Sequence, residues 1–580
     1  MYYINFGKKP NFSFSAITIL LLAFVSITFG TINSSADTIN NQQVRETKSS
    51  FQYGQRRATI NKRAADRFGF PVKNSTPVFS KQAKPLLEDL LEGDLDTTFG
   101  TGGKVTTQFG SSESEAAAIV LQPDGKFVAA GYSYNGLNSD FALARYNANG
   151  TLDATFGTGG RVTTDIGNVD NASFALAIQP ADGKLIAAGS SINGTNDDFA
   201  LVRYNPNGTL DGTFGTGGIV TTDFGSSFDY IEGLALQSDG KIVAAGSIFN
   251  GSTFRFALAR YNPNGTLDDT FGTGGRVTTS FTNIDDLARA VVLQPDGKII
   301  VAGEADTDIV VARYNSNGSL DTTFDGDGKV ITSIGLFSAA YDVALQPDGK
   351  IVAAGEAGDG NNSDFAVVRY ESTGALDSTF DGDGVVTTPI GSGNEIATAI
   401  ALQSGGKIIV GGISSNGGND DFALARYNSN GTLDSSFGTG GKITTDFSNS
   451  SNDYALGLAI QSGSRVIVVG SSNTNFAAAA YSLGTAGCSY SLSPTSAAVS
   501  SIAGTSSFNI NTGAGCAWTA VSNNSWITIT SGSSGTGNGV VNFSFDSNKA
   551  SLGRTGTITA GGQTFTITQS KSRRNRIVAF

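Results

Sequence analysis

Histidine is absent from this sequence of 580 residues, which also contains only two cysteines and one methionine. The lack of histidine excludes a Ser-His-Asp triad, a Cys-His pair, an imidazole general base and any zinc site with a histidine ligand. Catalysis would have to rely on carboxylates, Ser-Lys pairs or tyrosine. We therefore expect no enzymatic activity.

Basic residues are too few to dominate the charge. The 38 Lys and Arg residues stand against 50 Asp and Glu residues, and the net charge is −12. An acidic chain without a basic stripe is a poor ligand for nucleic acid, so we expect no such partner. The length is several times that of a usual domain, which predicts more than one core.

The amino terminus has the pattern of a secretory signal peptide, which we place at residues 1–36. Lys8 and Lys9 precede the apolar run Ile17–Phe29, and small residues follow. This run is shorter than the about 20 apolar residues that a membrane span needs. We predict a protein that is secreted or held at the cell surface, without a transmembrane span. The polar residues 37–92 are expected to be a flexible lead-in, with a basic arm that contacts an acidic surface as the alternative.

Internal repetition is the strongest signal in the chain. Each repeat has four β-branched or alternating runs separated by turn residues, which predicts four strands. The turn Pro123–Lys126 has the sequence Pro-Asp-Gly-Lys, which is typical of a tight hairpin. The motif Leu-Asp-x-x-Phe occurs seven times, starting at Leu95, Leu152, Leu210, Leu267, Leu320, Leu376 and Leu433.

Seven four-stranded units predict an all-β fold with a seven-bladed β-propeller over residues 93–483. A linear β-solenoid is the alternative, but its coils are shorter and rarely contain a tight hairpin. We expect the strand before each Pro-Asp-Gly turn, such as Ala117–Leu121, to be the innermost and the most apolar. The strand near Val105 should complete the blade whose other strands span 455–481, because this closure leaves no unpaired edge.

The repeat sorts its connections onto two faces. The Pro-Asp-Gly-Lys hairpins and the Leu-Asp-x-x-Phe segments are almost identical between units and share a uniform face. The opposite, variable face holds the connections between second and third strands and those that lead into the next unit. Ligand sites commonly lie on loops held by a rigid scaffold, so the variable face is the candidate binding surface. Acids outside the repeat pattern lie there and are candidate ligands for a cation or a basic group: Glu113, Glu115, Asp229, Glu232, Asp285, Asp286 and Glu395.

Two units replace the usual Gly-Thr-Gly turn by Asp-Gly-Asp, at Asp325 and Asp327 and at Asp381 and Asp383. Alternating carboxylates suggest a calcium loop, but the later bidentate Glu of such a loop is missing. Tight-turn geometry explains the same residues. We expect no cofactor, with calcium as the one alternative.

Three motifs recur in a fixed order: Leu-Asp-x-x-Phe-Gly-x-Gly-Gly, Leu-Gln-Pro-Asp-Gly-Lys and Phe-Ala-Leu-Ala-Arg-Tyr-Asn-x-Asn-Gly. In these motifs the chain resembles the delta-60 repeat family of exported bacterial proteins over residues 95–481. The resemblance implies a propeller-like repeat and brings no established activity.

A second module follows, where the composition shifts to Ser and Thr. Its alternating runs predict an immunoglobulin-like β-sandwich over residues 487–570, before a basic tail at 571–580. Cys488 and Cys516 are the only cysteines. A disulfide between them is the default expectation for an exported chain.

Several segments of this module resemble the BACON domain over residues 488–570: Cys488-Ser-Tyr-Ser-Leu-Ser-Pro, Gly515-Cys-Ala-Trp-Thr-Ala, Asn524-Ser-Trp-Ile-Thr and Arg554-Thr-Gly-Thr-Ile-Thr. That family is associated with carbohydrate-active and cell-surface proteins, which implies attachment to glycans or mucins. Trp518 and Trp526 would then stack on sugar rings. The alternative, that both are core residues of a small sandwich, is the favoured one.

The sequence therefore predicts an exported, monomeric, non-catalytic binding or adhesion protein that recognises a glycan or a surface polymer. A protein-interaction or structural scaffold without glycan affinity, bound to an extracellular protein, is the alternative. A carboxylate-based glycoside hydrolase or lyase ranks third. It requires two unlike acids that converge near the central channel.

Overall fold

The computed structural model describes residues 91–110, 113–194, 196–225, 228–448, 451–461, 464–484, 490–512 and 517–572. The predicted signal peptide, nearly all of the lead-in, both cysteines and most of the basic tail lie outside these residues. The signal peptide and the disulfide therefore stay predictions. Every regular element of the described residues is a β-strand, and none is a helix long and apolar enough to cross a membrane.

Seven antiparallel sheets of four strands each make up the repeat region, which confirms the predicted four strands per unit. The first two sheets contain β2 (Ser114–Leu121), β3 (Phe127–Tyr134), β4 (Ser139–Tyr146), β5 (Arg161–Thr164), β6 (Asn171–Ile178), β7 (Leu185–Ile192), β8 (Asp197–Tyr204) and β9 (Ile219–Thr222). The third and fourth contain β10 (Asp229–Leu236), β11 (Ile242–Phe249), β12 (Phe254–Tyr261), β13 (Arg276–Thr279), β14 (Asp286–Leu293), β15 (Ile299–Ala305), β16 (Asp308–Tyr314) and β17 (Lys329–Thr332). The fifth and sixth contain β18 (Phe337–Leu345), β19 (Ile351–Gly358), β20 (Ser363–Tyr370), β21 (Val385–Thr388), β22 (Glu395–Leu402), β23 (Ile408–Ser415), β24 (Asp420–Tyr427) and β25 (Lys442–Thr445).

The seventh sheet is assembled from both ends of the repeat region. Its last three strands are β26 (Asp453–Gln461), β27 (Arg465–Ser472) and β28 (Asn475–Ser482), and β1 (Lys104–Thr107) pairs with β28 as the fourth. Val105 lies opposite Ala478, so the predicted closure is confirmed. The backbone of Leu95 bridges Tyr481, just as Leu152 bridges Tyr146 in the first sheet.

The first strand of each sheet contacts the first strand of the sheets on either side, and β26 contacts β2 in the same way. The sheets therefore follow one another in a closed order, with their first strands innermost. These strands, which we predicted to be the most apolar, are not the most buried. β3 and β4 are almost wholly buried, whereas β2 is largely half-buried. The middle strands pack against neighbouring sheets on both faces, while the innermost strand has one face toward the interior of the ring.

A buried arginine ties each of six sheets to the segment that follows it. The Nε of Arg145 donates to Asp153 at 2.9 Å, and its Nη1 donates to the carbonyl of Pro206 in the next unit. Its guanidinium also lies 4.7 Å from the centre of the Phe156 ring. Burial opposes ionisation of Asp153, but hydrogen bonds from Thr155 and the charges of Arg145 and Lys126 lower its pKa to about 2. The same arginine recurs at Arg203, Arg260, Arg313, Arg369 and Arg426.

Every innermost strand contains a β-bulge, and a glycine of the second strand lies opposite it. A Cβ on any of these glycines would lie 1.7 to 1.9 Å from a backbone oxygen of the innermost strand, so no larger residue fits. The strand register shifts at the same place in each sheet. The glycines are Gly131, Gly189, Gly246, Gly303, Gly355, Gly412 and Gly470.

The carboxy-terminal module consists of two sheets around one core. One sheet contains β29 (Ser491–Ser493), β31 (Gly504–Asn511), β35 (Gly539–Phe545) and β33 (Ile527–Ser531). The other contains β30 (Ser496–Val499), β37 (Gln563–Gln569), β36 (Arg554–Ala560), β32 (Ala517–Ser522) and β34 (Ser534–Thr536). Phe508 from the first sheet stacks on Phe565 from the second at 4.2 Å, and both belong to the shared core. The immunoglobulin-like topology stays a prediction.

Replacing a glycine opposite a bulge should be far more damaging than replacing one in open space. In Gly189→Ala the new Cβ would lie 1.9 Å from the carbonyl oxygen of Ala172. We expect a loss of at least about 2 kcal/mol in the free energy of unfolding. The control is Gly212→Ala, whose Cβ meets no atom within 4 Å. Equal denaturation midpoints for the two variants would contradict this account of the bulge.

The ion pair between Arg465 and Asp96 should contribute to ring closure. Arg465 takes the place that Lys126 has in the first sheet, and its Nη2 lies 2.8 Å from Asp96. The arginine that would hold this aspartate in the other sheets is replaced by Ala480. Arg465→Ala should therefore cost about 2 kcal/mol, because Asp96 loses a charged donor.

The matched control for this closure experiment is Lys126→Ala. Asp153, the partner of Lys126, keeps Arg145, so we expect a much smaller loss of stability than in Arg465→Ala. Urea denaturation measures both variants. If both lost the same stability, Arg465 would have no special part in closing the ring.

Candidate functional site

The bulged position of the innermost strand carries a different residue in each sheet, although the units are otherwise nearly uniform. This position lies on the innermost strand of every sheet. In chain order the bulged residues are Ala117, Phe174, Glu232, Arg289, Tyr341, Thr398 and Leu456.

Three of these bulged residues belong to one charged network. Arg289, 8% exposed, donates to Glu232 of the preceding sheet and to Glu304 of its own sheet, each at 2.6 Å. Its guanidinium also lies 5.4 Å from the centre of the Tyr341 ring. The Tyr341 hydroxyl donates to Glu356 at 2.8 Å. The network therefore joins three carboxylates and one guanidinium across three sheets.

Burial dominates the protonation behaviour of the network. It raises the pKa of Glu232, although the charge of Arg289 acts in the opposite direction. It also raises the pKa of Glu356, against hydrogen bonds from Ser363 and Tyr341. The second carboxylate oxygen of Glu304 is buried and has no hydrogen-bond donor. The network thus offers an acceptor that a bound hydroxyl group would satisfy.

An aromatic run in the third sheet leads from this network to the surface. Tyr230 is two residues from Glu232, and its ring lies 6.1 Å from that of Phe254. Phe254 lies 5.2 Å from Phe249, which in turn lies 6.4 Å from Phe228. Phe228 is 42% exposed, whereas Tyr230 is buried. The run is a continuous aromatic strip that is open to solvent at its Phe228 end.

The two sets of variable connections meet on one face, as predicted. The side-chain amide of Asn138, before β4, donates to the carbonyl of Val169 at 2.8 Å. The N–H of Ser139 donates to Asp170 at 2.9 Å. Large apolar side chains on these connections are exposed to solvent. They are Tyr134, Leu137, Phe228, Ile284 and Leu336.

Most of the predicted acids anchor these connections and are dispersed around the ring. Asp229 accepts the N–H of Phe224 at 2.7 Å, and Glu395 accepts that of Gly391 at 3.1 Å. Asp285 accepts the N–H of Phe254 at 2.8 Å. Asp286 accepts the N–H of Phe281 at 3.0 Å and lies 3.3 Å from Arg255.

Glu113 and Glu115 accept hydroxyl groups on the first sheet and its neighbour. Tyr132 donates to Glu113 at 3.1 Å, and Ser471 donates to Glu115 at 3.0 Å. Of the seven acids predicted from the sequence, only Glu232 belongs to the charged network.

The Asp-Gly-Asp turns follow the geometry of the turns that they replace. Asp325 and Asp381 have φ angles of 49° and 51°, close to the 53° of Gly100 in the first unit. Asp327 accepts the N–H of Lys329, and Asp383 that of Val385, each at 2.9 Å. None of the acid clusters among the described residues includes these four. Turn geometry accounts for them without a metal.

The two tryptophans have structural surroundings. Trp518 is 5% exposed within the core of the carboxy-terminal module, and its Nε1 donates to the carbonyl of Gly537 at 2.7 Å. It is therefore not presented to a sugar. Trp526 packs against the same core, and the guanidinium of Arg554 lies 4.0 Å from its ring. Both positions agree with the favoured interpretation as core residues.

Four residues of the network and the aromatic run were not predicted from the sequence as site residues. The four are Arg289, Glu304, Tyr341 and Glu356. A usable signal exists, because Glu304 and Glu356 directly follow the glycine that lies opposite the bulge. Most other units have Ser or Tyr at this place. Lining up the units on that glycine would have identified both glutamates.

Six segments of the chain match a family model described as a domain of unknown function (DUF5122) β-propeller, and residues 489–572 match a viral BACON domain. The repeat region therefore contains β-propeller repeats, in the predicted order before a BACON domain. The seventh copy is divided between the two ends of the region, which explains why six segments match. These are 122–156, 181–214, 237–271, 294–324, 346–380 and 403–437.

No sequence among the curated proteins matches the chain. A solved structure of a Bacteroides ovatus GH5 xyloglucanase is 19% identical over 14% of this chain and 19% of its own, with a TM-score of 0.13. A PL25 ulvan lyase is 12% identical over 69% of this chain and 96% of its own, with a TM-score of 0.39. Sqt1 from Chaetomium thermophilum is 11% identical over 65% and 97%, with a TM-score of 0.36. All three scores are below 0.5, so no activity follows from them.

Stability should fall between pH 4 and pH 7 because of Asp342, the neighbour of Tyr341. Burial raises its pKa to about 6, although the N–H groups of Ile400 and Val343 favour its charged form. A folded-state pKa above the unfolded value means that the protonated form favours folding. This contribution is complete below about pH 4 and is lost as the pH rises through about 6.

We therefore expect the wild type to lose about 1–2 kcal/mol relative to Asp342→Ala between these pH values, after allowance for its partial exposure. Urea denaturation at several pH values measures the difference. Parallel stability curves would show that Asp342 titrates normally.

Proposed function

We propose that this chain is an exported, non-catalytic binding protein whose seven sheets form a closed seven-bladed propeller. The propeller recognises a hydroxyl-rich glycan or surface polymer at its variable face. One observation carries the proposal: the aromatic run from Phe228 to Tyr230 leads directly to the network around Arg289. Aromatic faces and buried carboxylates at one place suit a sugar, since the rings stack on its apolar faces and the carboxylates accept its hydroxyl groups.

The charge of the network narrows the class of polymer. Glu232, Glu304 and Glu356 outnumber the single guanidinium of Arg289, so an added carboxylate or sulfate would meet repulsion. A neutral or amino sugar avoids this cost, and its hydroxyl groups can donate to the unpartnered oxygen of Glu304. We therefore favour neutral or amino glycans over uronic or sulfated ones.

Recognition is assigned to the propeller and not to the carboxy-terminal module. Trp518 is buried, and Arg554 lies over the ring of Trp526, so neither offers a free aromatic face of the kind present at Phe228. In this proposal the BACON module is a second domain of a cell-surface or secreted protein. A protein-interaction scaffold is the alternative if no glycan binds.

A second candidate function, catalysis, rests on carboxylates that belong to one network but have different partners. Glu356 is held by Tyr341, whereas Glu232 and Glu304 are paired with Arg289. This partly meets the requirement for a carboxylate-based glycoside hydrolase or lyase. We rank catalysis below glycan binding, because two of the three carboxylates are engaged by one guanidinium.

The full chain from Asp37 is titrated calorimetrically with neutral, amino, uronic and sulfated polysaccharides. We expect saturable binding to a neutral or amino polymer, and Phe228→Ala should weaken it roughly tenfold, because an exposed stacking ring is lost. The control is Leu376→Ala, which removes a side chain that is also 42% exposed but lies on the uniform face. It should bind like the wild type.

The same mixtures are assayed for new reducing ends and unsaturated products. Binding without products supports the proposal, whereas products would favour the hydrolase or lyase. Failure of every polymer to bind would overturn glycan recognition and favour a protein partner. Equal weakening by Phe228→Ala and Leu376→Ala would place the site elsewhere on the propeller.

A further inference from the structure

Two of the seven sheets have three aspartates at the same structural position. The second-sheet triad is Asp198, Asp223 and Asp229, and the sixth-sheet triad is Asp421, Asp446 and Asp453. In each triad one carboxylate oxygen from every residue lies within 4.8 Å of the other two. Two oxygens on opposite sides of a calcium ion at the usual distance of about 2.4 Å are separated by this same length.

The fold brings each triad together from three different strands. Asp198 lies at the start of β8, Asp223 directly follows β9, and Asp229 begins β10 of the next sheet. The sixth-sheet triad repeats this placement on β24, β25 and β26. Each triad therefore spans the junction between two sheets, beside the variable connections.

In each triad one buried carboxylate is incompletely satisfied. Asp198 is 5% exposed, and Asp453 is fully buried. One carboxylate oxygen of Asp198 and one of Asp453 have no hydrogen-bond donor. Their other oxygens accept from Asn193 at 2.8 Å and from the N–H of Phe447 at 2.7 Å. Buried carboxylates with an open acceptor need a positive partner, because an uncompensated buried charge is costly.

Among the ion pairs of the described residues, none includes Asp198, Asp223, Asp421, Asp446 or Asp453. Lys104 is close to the sixth-sheet triad, but it donates to the backbone carbonyl of Asp446 at 2.9 Å. The carboxylate of Asp446 accepts the N–H of Ser448 at 2.8 Å through one of its oxygens.

The third sheet supplies a positive charge at this same position from the chain itself. Arg255 stands where the second sheet has Asp198, and Asp286 stands where it has Asp229. The Arg255 guanidinium lies 3.3 Å from the carboxylate of Asp286 and donates to the carbonyl of Ile284 at 2.6 Å. The junction therefore accommodates a cation beside this aspartate.

The other four sheets have fewer acids at the junction. Their residues are Asp140, Asp165 and Asn171 in the first, Asp308, Ser333 and Ser338 in the fourth, Asp364, Pro389 and Glu395 in the fifth, and Asn475, Gln108 and Ser114 in the seventh. Only the second and sixth sheets combine three carboxylates without an arginine.

We infer that each of the two triads binds a divalent cation of the calcium type and so links neighbouring sheets of the propeller. Ligands that are all oxygen, with three carboxylates, are the set that Ca²⁺ prefers, and water completes its coordination. These positions differ from the Asp-Gly-Asp turns at Asp325 and Asp381. The inference does not rest on glycan recognition.

Calcium is added to the full chain after treatment with EDTA, without any glycan. We expect calorimetry to show two tight Ca²⁺ ions per chain, one for each triad. The thermal unfolding midpoint should rise by several degrees with Ca²⁺, since binding to the folded state alone stabilises it. Mg²⁺ alone should bind more weakly, because it requires a stricter geometry.

The variants copy the arrangement of the third sheet. Asp198→Arg and Asp421→Arg each place a guanidinium where Arg255 stands, so each should remove one Ca²⁺ and keep the fold. Unfolding midpoints in EDTA that match the wild type show that the fold is kept. The double variant should lose the whole response to Ca²⁺. Asp308→Arg is the matched control, because its junction has a single acid, and it should keep both ions.

Two outcomes would overturn the inference. One is an absence of heat and of any shift in the unfolding midpoint when Ca²⁺ is added to the wild type, which would mean that the triads share protons. The other is a double variant that still binds two ions, which would place the ligands elsewhere in the chain.

Discussion

The β-bulge of each innermost strand is the constraint on which both the fold and the candidate site depend. The bulge brings the carbonyl of the residue two positions before it so close to the second strand that only glycine fits opposite. It also places one extra side chain on the innermost strand of every sheet. Backbone geometry therefore fixes the glycine and leaves the extra residue free to vary. Glu232, Arg289 and Tyr341 occupy three such free positions, which is why the charged network lies at the bulges.

Closure of the ring depends on a different interaction, in which a buried arginine pairs with an aspartate and donates to a carbonyl of the next unit. The seventh sheet is completed by β1, so the amino-terminal segment supplies the partners of arginines in the last two sheets. Glu92 accepts from Arg426, and Asp96 pairs with Arg465. The first and last parts of the region thus form a complete unit only together. A break at this junction would expose the pairing edge of β28, which explains why both a strand and two ion pairs secure it.

The regular part of this architecture could be read from the sequence, because turn residues and alternating apolar residues recur at fixed intervals. These intervals predict the strands, the division of the connections between two faces and the pairing of Val105 with β28. The site could not be read in the same way. Glu232 was recognisable as an acid outside the pattern, but its partner Arg289 belongs to the next sheet, 57 residues away. Such contacts depend on the bulge and on the ring, neither of which leaves a local signal. Trp518 illustrates a second limit, because the sequence alone cannot distinguish a tryptophan that stacks on a sugar from one that lies in the core.

The proposed cation sites and the proposed glycan site differ in chemistry but are connected by one strand. Asp229 begins β10, Tyr230 follows it directly, and Glu232 lies two residues further on. A cation held by Asp198, Asp223 and Asp229 would fix the start of this strand and therefore the aromatic run beside it. The third sheet secures its own junction with Arg255, which requires no ion. In this proposal equivalent aspartates receive a positive charge from two sources, Arg255 of the chain in one case and a cation of the medium in the other. For the exported protein that we propose, the loops of the proposed binding face would then be rigid only where calcium is present.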